Sequence, residues 1–330
     1  MLSILVTYYN QEKFVKRSLD SIFNQRLTED FEVLIGDDGS TDNTCNIVNE
    51  YISHYPGKIK LFIQHRDNSK QYSAVERASY NRLNLLKNAI GDYVCFLDGD
   101  DEYCDFTWIQ EAIDILNSNR KLVGVAHNYK ETYEDGSVVI PDGISGYDFI
   151  SAKLYCKQLY TPAGTILFRR VLNEKFYNKL ITLKSFDDND ITFYFLNFGD
   201  LYCVDKIVYN YYQNTGSIWN STNALEKSII NAIDYEIVKK ILSKYHTSLL
   251  FKYFGALFSC YKNKDILCDK KFEKYRNQCI PNGLLDTFFN WRKKSWIVKS
   301  KTNVEVFYYL FLFIMIKIFN KISRFFHRGK

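Results

Sequence analysis

The chain has 330 residues, 46% of them apolar and 25% charged, with a formal net charge of +5. That is long enough for one large domain with an appendage or for two domains, and the small positive excess does not by itself point to nucleic acid. Eight scattered cysteines, with no C-x-x-C pair and no Cys/His cluster, exclude a zinc module and fit a reducing compartment.

Residues 2–7 form an apolar run that reads as a strand. It is too short for the apolar core of a signal peptide and leads straight into a polar loop. Strands are expected at 32–35, 59–63 and 93–97, with helices between them at about 12–24, 42–53 and 72–89. Val15, Leu19, Ile22 and Phe23 recur at helical spacing and give the first helix one buried face. Ser40 or Thr41 is the expected N-cap of the second helix, with Asp42 in its first turn. Strands alternating with helices predict an α/β fold with a mostly parallel sheet covered on both faces.

In such sheets ligands sit beyond the C-terminal strand ends. Three polar clusters fall there: Thr7-Tyr8-Tyr9-Asn10, Gly36-Asp37-Asp38-Gly39-Ser40 and Asp98-Gly99-Asp100-Asp101. The last caps the apolar run Tyr93-Val94-Cys95-Phe96-Leu97. Three carboxylates within four positions are unfavourable unless a cation neutralises them, and oxygen-only donors suit Mg²⁺ or Mn²⁺. An acidic loop in water is the plain alternative.

From 105 to 217 the pattern loosens into short strands and loops, with strands expected at 121–127, 137–140, 165–168 and 206–212. Residues 186–197 read as a loop leading into a helix, and the chain beyond 217 reads as helices. Residues 306–316 are uncharged and very apolar, and Lys317, Lys321, Arg324, His327, Arg328 and Lys330 follow. Eleven such residues are too few to span a bilayer, which takes about 20. Leu310, Phe313, Ile314, Lys317, Ile318 and Lys321 suit a helix lying on an anionic membrane surface, or else a terminal helix docked on the core.

The order and spacing of three motifs strongly resemble family 2 glycosyltransferases of the GT-A fold. They are Ile4-Leu5-Val6-Thr7-Tyr8-Tyr9-Asn10, Val33 to Thr44 (VLIGDDGSTDNT), and Gly91 to Asp101 (GDYVCFLDGDD). The resemblance covers roughly residues 1–217, divided into a nucleotide-binding half at 1–103 and an acceptor half at 104–217. Residues 218–330 form a C-terminal helical region without a comparable match.

The resemblance implies an inverting transfer of a hexose or N-acetylhexosamine from a nucleotide-diphosphate sugar, UDP by default, to a saccharide or lipid-linked saccharide acceptor. Surface-glycan synthesis, such as lipopolysaccharide or capsule, at the cytoplasmic face of the inner membrane is the implied setting. Thr7 and Tyr9 would line the base and ribose pocket, and Asp38 would hydrogen-bond the base. Asp98 would touch ribose or metal, and Asp100 would ligate the Mn²⁺ or Mg²⁺ that bridges the two phosphates. Arg82 would face the donor, although the usual neighbouring Asn and Gly are here Leu83 and Leu85.

Asp188, in Phe186-Asp187-Asp188-Asn189-Asp190-Ile191, would be the general base. Its plain alternative is an acidic helix N-terminus complementing the dipole. Asn214 stands where relatives often carry a His near the donor phosphates. His127 reads as a hydrogen-bonded structural residue ahead of a sugar contact. Two other functions compete with transfer: phosphoryl chemistry at the Asp98/Asp100 pair, and a non-catalytic glycan- or membrane-binding protein on the same fold.

Overall fold

The structure, a computed structural model, describes residues 1–66, 69, 74–157, 159–183, 186–214, 222–241 and 245–327. Tyr72, Thr215, Gly216, Ser217, Arg328 and Lys330, which the sequence reading included, lie outside them. The chain divides into two compact units, Met1–Tyr155 with Leu159–Ser221 and Cys156–Gln158 with Thr222–Lys330.

The first unit alternates β1 (Leu2–Tyr8), α1 (Val15–Phe23), β2 (Phe31–Asp37), α2 (Thr44–His54), β3 (Ile59–Ile63), α3 (Ala74–Asn88) and β4 (Tyr93–Asp98). β1, β2 and β4 are almost wholly buried, as expected for central parallel strands covered on both faces. After β5 (Glu102–Tyr103) come α4 (Trp108–Ser118), β6 (Leu122–Tyr133), β7 (Val138–Val139), β8 (Phe149–Ile150), α5 (Ala152–Tyr155), β9 (Ile166–Arg169), α6 (Glu174–Leu183), α7 (Asp188–Leu196) and β10 (Asp200–Gln213). The strand order is β3-β2-β1-β4-β9-β6-β10-β5, with β7 beside β6 and β8 beside β10. β3, β2, β1 and β4 run parallel, whereas β9 is antiparallel to both its neighbours. The sheet is thus mixed, with a parallel half as the sequence resemblance implies, and the chain reverses its direction of growth between β1 and β4.

Several local expectations are corrected. The first helix starts at Val15 rather than near Glu12, because Asn10 adopts φ 50° and residues 11–14 make a turn. Neither Ser40 nor Thr41 caps α2: Asn43 holds that position, and Ser40 turns back to the Asp37 carboxylate at 2.5 Å. α4 falls where short strands and loops were expected. Its start is held by Asp105, whose Oδ1 accepts from the backbone N–H of Thr107 and Trp108 at 2.8 and 2.9 Å. Buried Trp108, Ile109, Ala112, Ile113 and Leu116 then form one helical face.

The second unit is helical, as expected beyond residue 217: α8 (Ala224–Ile241), α9 (His246–Lys262), α10 (Glu273–Arg276), α11 (Leu284–Phe289) and α12 (Trp296–His327). Ile229, Ile233, Ile237, Leu250, Leu257 and Phe288 are buried within it. α12 docks on α9, with the Phe313 ring 4.4 Å from Phe254 and 5.4 Å from Phe251. Of the residues expected on one face, Phe313 belongs to the docked side, while Ile314, Lys317 and Ile318 are exposed. No described helix is long and apolar enough to cross a membrane.

Candidate active site

A crevice at the C-terminal ends of parallel strands, where strand order reverses, is the usual ligand position in open α/β sheets. Here that point lies between β1 and β4, whose register sets Thr7 opposite Asp98. The Thr7 hydroxyl donates to Asp98 Oδ1 at 3.3 Å, and the Gly99 N–H donates to the Thr7 carbonyl at 3.0 Å. A side chain at 99 has no room, since a Cβ there would lie 2.1 Å from Tyr8 Cδ1.

The four acids of the following turn divide their tasks. Asp101 is buried and accepts from the Tyr209 hydroxyl and the Tyr212 N–H, both at 2.8 Å. Burial and the adjacent Asp100 and Asp98 push its carboxyl well above the usual range, as suits a structural group. Glu102 accepts from Asn210 and from the Tyr212 hydroxyl, each at 2.9 Å. Asp98 and Asp100, two residues apart, are hard oxygen donors, although Asp98 Oδ1 already accepts from Thr7 and Arg82. Burial, then the Asp98 charge, raises the Asp100 carboxyl to about 6, which marks a site that gains from a cation. The donor set therefore fits Mg²⁺ or Mn²⁺. Arg17 donates to the Asp100 carbonyl at 2.5 Å and lies 3.5 Å over the Tyr212 ring, and the Asn214 side chain hydrogen-bonds Asp100.

At the tip of β2, Asp37 shapes the loop by accepting from the N–H groups of Gly39 and Ser40 at 3.0 and 2.8 Å. Asp38 is gripped by two arginines: Arg66 Nη2 at 2.8 Å and Arg77 Nη2 at 2.5 Å. The Arg66 guanidinium also covers Tyr9, 3.4 Å from its ring centre. Tyr9 and Asp38 are thus brought to one corner, but Asp38 already has hydrogen-bond donors from this chain.

The third group joins two distant segments. Arg82, on α3, donates to Asp98 Oδ1 at 2.6 Å and to the Phe186 carbonyl at 3.5 Å. Asn81 beside it donates to the Gly36 carbonyl at 2.8 Å and pins α3 to β2. Burial disfavours the Arg82 charge, but Asp98 and Asp188 outweigh it and raise the guanidinium's pKa. At the start of α7, Asp187 is the N-cap, accepting from Asn189 and Asp190 N–H, and Asp190 returns a bond to Asp187 N–H. Those two acids serve the helix. Asp188 instead accepts from the Tyr160 hydroxyl at 3.0 Å and from the Ala163 N–H at 3.2 Å. Burial raises its carboxyl above the usual range, while Arg82 opposes that shift.

Asp98, Arg82 and Asp188 are thus brought together with Thr7 at the switch point, and Asp100 lies on the same turn. Residues 3–176 match the model described as Glycosyl transferase family 2. The chain belongs to that family.

Among similar proteins, the GalNAc(5)-diNAcBac-PP-undecaprenol beta-1,3-glucosyltransferase of Campylobacter jejuni is 28% identical over 187 residues, 55% of this chain and 58% of that protein. The teichoic acid poly(glycerol phosphate) polymerase of Staphylococcus epidermidis is 34% identical over 128 residues, 39% of this chain and 16% of that one. The chain spans less than two thirds of the length of these curated relatives. Residues 1–349 of Staphylococcus aureus TarS, solved in complex with UDP-GlcNAc, superpose with a TM-score of 0.54 at 18% identity. The match covers 84% of this chain and 78% of that one. At that identity the likeness is one of fold. Family 2 membership displaces the phosphoryl-transfer alternative.

Arg17, Arg66, Arg77 and Tyr160 did not stand out in the sequence. Their partners are 83, 28, 39 and 28 residues away. Only Arg17 carried a local signal, lying one helical turn before Asp20 on the polar side of α1. His127 is wholly buried, its Nδ1 3.2 Å from the Thr165 carbonyl and its ring edge-on to Trp108. It is a core residue and not a sugar contact.

Proposed function

We propose that this family 2 member transfers a hexose or N-acetylhexosamine, with inversion, from a nucleotide-diphosphate sugar to a hydroxyl of a saccharide or lipid-linked saccharide acceptor in surface-glycan synthesis. UDP is the preferred nucleotide. The TarS complex with UDP-GlcNAc and the undecaprenol-linked substrate in the name of the Campylobacter relative support these choices. The observation that carries the reading is the Arg82 bridge, which joins the metal-motif carboxylate Asp98 to the α7 start that presents Asp188.

In this reading Thr7 and Tyr9 line the nucleoside pocket, and Asp38 reads the base together with the arginines that hold it. Asp98 and Asp100 would hold Mn²⁺ or Mg²⁺, which supplies Lewis-acid stabilisation of the charge that grows on the departing diphosphate. Arg82 adds a fixed positive charge beside the same position. Asp188 removes the acceptor hydroxyl's proton. Its two donors, the Tyr160 hydroxyl and the Ala163 N–H, fix the carboxylate and leave lone pairs for that proton.

The test is nucleoside-diphosphate release with acceptor present, alongside calorimetric titration of UDP. Asp188→Asn is expected to bind UDP normally yet lose roughly 10²–10⁴-fold in transfer. A mutant that transfers at the wild-type rate would exclude Asp188 as the base.

A further inference from the structure

α12 has two apolar faces, and α9 covers one of them. Val306 and Tyr309 are buried on that side, and Phe313 stacks on Phe254. At 3.6 residues per turn, Val304, Phe307, Phe311, Ile314, Met315 and Ile318 fall in a stripe on the other side. All six are exposed, from 46% to 69%, and Trp296 and Ile297 continue the stripe toward the helix start at 80% and 61%. Single exposed apolar residues are ordinary, but a stripe of four turns from Val304 to Ile318, resumed beyond Ser300 by Trp296 and Ile297, marks a surface that something covers.

Charge indicates what covers it. Across residues 296–330 the only acidic side chain is Glu305, against seven Lys and Arg, five of them from Lys317 onward. Lys301 and Lys317 are exposed, and by helical spacing they border the stripe on its two sides. A second copy of this helix would bring like charges together, whereas an anionic lipid surface offers apolar depth and negative headgroups at once. Trp296 suits the same boundary, where an aromatic ring meets water on one side and acyl chain on the other.

We propose that the exposed stripe of α12 lies in the headgroup region of an anionic bilayer, with α9 against its opposite face, and holds the chain at the membrane without spanning it. This assignment is independent of the donor-site reading. It differs from the sequence expectation in the residues that face lipid, which are Phe307, Phe311 and Met315 and not Leu310 and Phe313.

The test uses the full chain in co-sedimentation with vesicles of phosphatidylglycerol and phosphatidylcholine, and of phosphatidylcholine alone. Wild-type protein is expected to sediment with the anionic vesicles and to be released by high salt. The double variant Phe307→Glu/Phe311→Glu touches only the exposed face. It is expected to keep its melting temperature and UDP binding while partitioning at least about tenfold more weakly. Lys301→Glu/Lys317→Glu keeps the apolar stripe and is expected to lose only the preference for anionic lipid. Wild-type protein that ignores anionic vesicles would overturn the proposal, as would a double glutamate variant that binds them equally well. A dimer in solution that the double variant splits, with no vesicle binding, would assign the face to a second copy instead.

Discussion

Arg82 donates to Asp98 at 2.6 Å while its other terminal nitrogen reaches the Phe186 carbonyl at 3.5 Å, so one side chain ties the end of β4 to the start of α7. The planar fork meets each acceptor with its own nitrogen at a fixed spacing, whereas an ammonium would have to reach both from a single nitrogen. Arg82→Lys is therefore expected to keep the fold but reduce transfer roughly tenfold or more, through misplacement of Asp98 relative to Asp188. Steady-state nucleoside-diphosphate release together with a melting curve checks this. An unchanged rate would mean that the bridge does not position the site.

Removing divalent metal is expected to weaken UDP binding and abolish transfer, with Mn²⁺ or Mg²⁺ restoring both. In Asp100→Asn the metal-dependent part of UDP affinity should vanish while the metal-free part persists. Titration calorimetry with and without chelator reads both, and equal affinities under the two conditions would remove the metal from the account.

Tyr160→Phe deletes one of two donors to Asp188. A hydrogen bond to a charged acceptor contributes about 1.5–3 kcal/mol, so a loss of roughly 10- to 100-fold in transfer is expected. The sign of the pH effect also follows. The Tyr160 bond favours the ionised carboxylate, so without it Asp188 takes up its proton at higher pH and the acid limb of the rate profile moves upward. Profiles that superimpose would show that Tyr160 does not act through Asp188.

Gly99→Ala sets a methyl group 2.1 Å from a ring carbon of Tyr8. That ring has nowhere to go, being buried and bonded through its hydroxyl to Ser18 at 2.5 Å. Overpacking of this kind costs about 1–3 kcal/mol. Scanning calorimetry should show a lower melting temperature, and UDP titration a loss of metal dependence as the turn is displaced.

His127 gives a pH dependence of stability. Burial lowers its imidazole to about 4, below the 6.5 of an unfolded histidine. The unfolded chain therefore takes up the proton first. Stability from this residue is complete above about pH 6.5 and is lost progressively as pH falls toward about 4, by on the order of 3 kcal/mol. His127→Gln should flatten that part of the melting-temperature profile. A profile as steep as that of the wild type would assign the acid sensitivity to other groups.

The α/β alternation was legible because β1, β2 and β4 each carry an apolar run, Ile4–Val6, Val33–Ile35 and Tyr93–Leu97, followed by a polar cluster. The residues at those ends could be named from order alone, since strand direction decides which ends share a face. α4 was not recognised, although Trp108, Ile109, Ala112, Ile113 and Leu116 carry helical spacing, because the side chain that holds its start, Asp105, lies two residues before the Thr107 N-cap. The two arginines on Asp38, and Tyr160 on Asp188, depend on contacts between segments far apart in the chain, and no local pattern encodes those. In α12 the sequence offered docking and exposure as rivals. A helix has room for both, and the period alone does not say which side meets α9.

Asp101 grips the far end of β10 through Tyr209 and Tyr212, and β10 leads directly to Asn214. Replacing Asp101 would thus imitate damage to the proposed cation site, even though its carboxylate is already taken up by Tyr209 and Tyr212. A scan that assigned roles by lost turnover alone would count one ligand too many here. Comparing how firmly β10 amides resist deuterium exchange in the two kinds of variant would separate the fastening from the site it fastens.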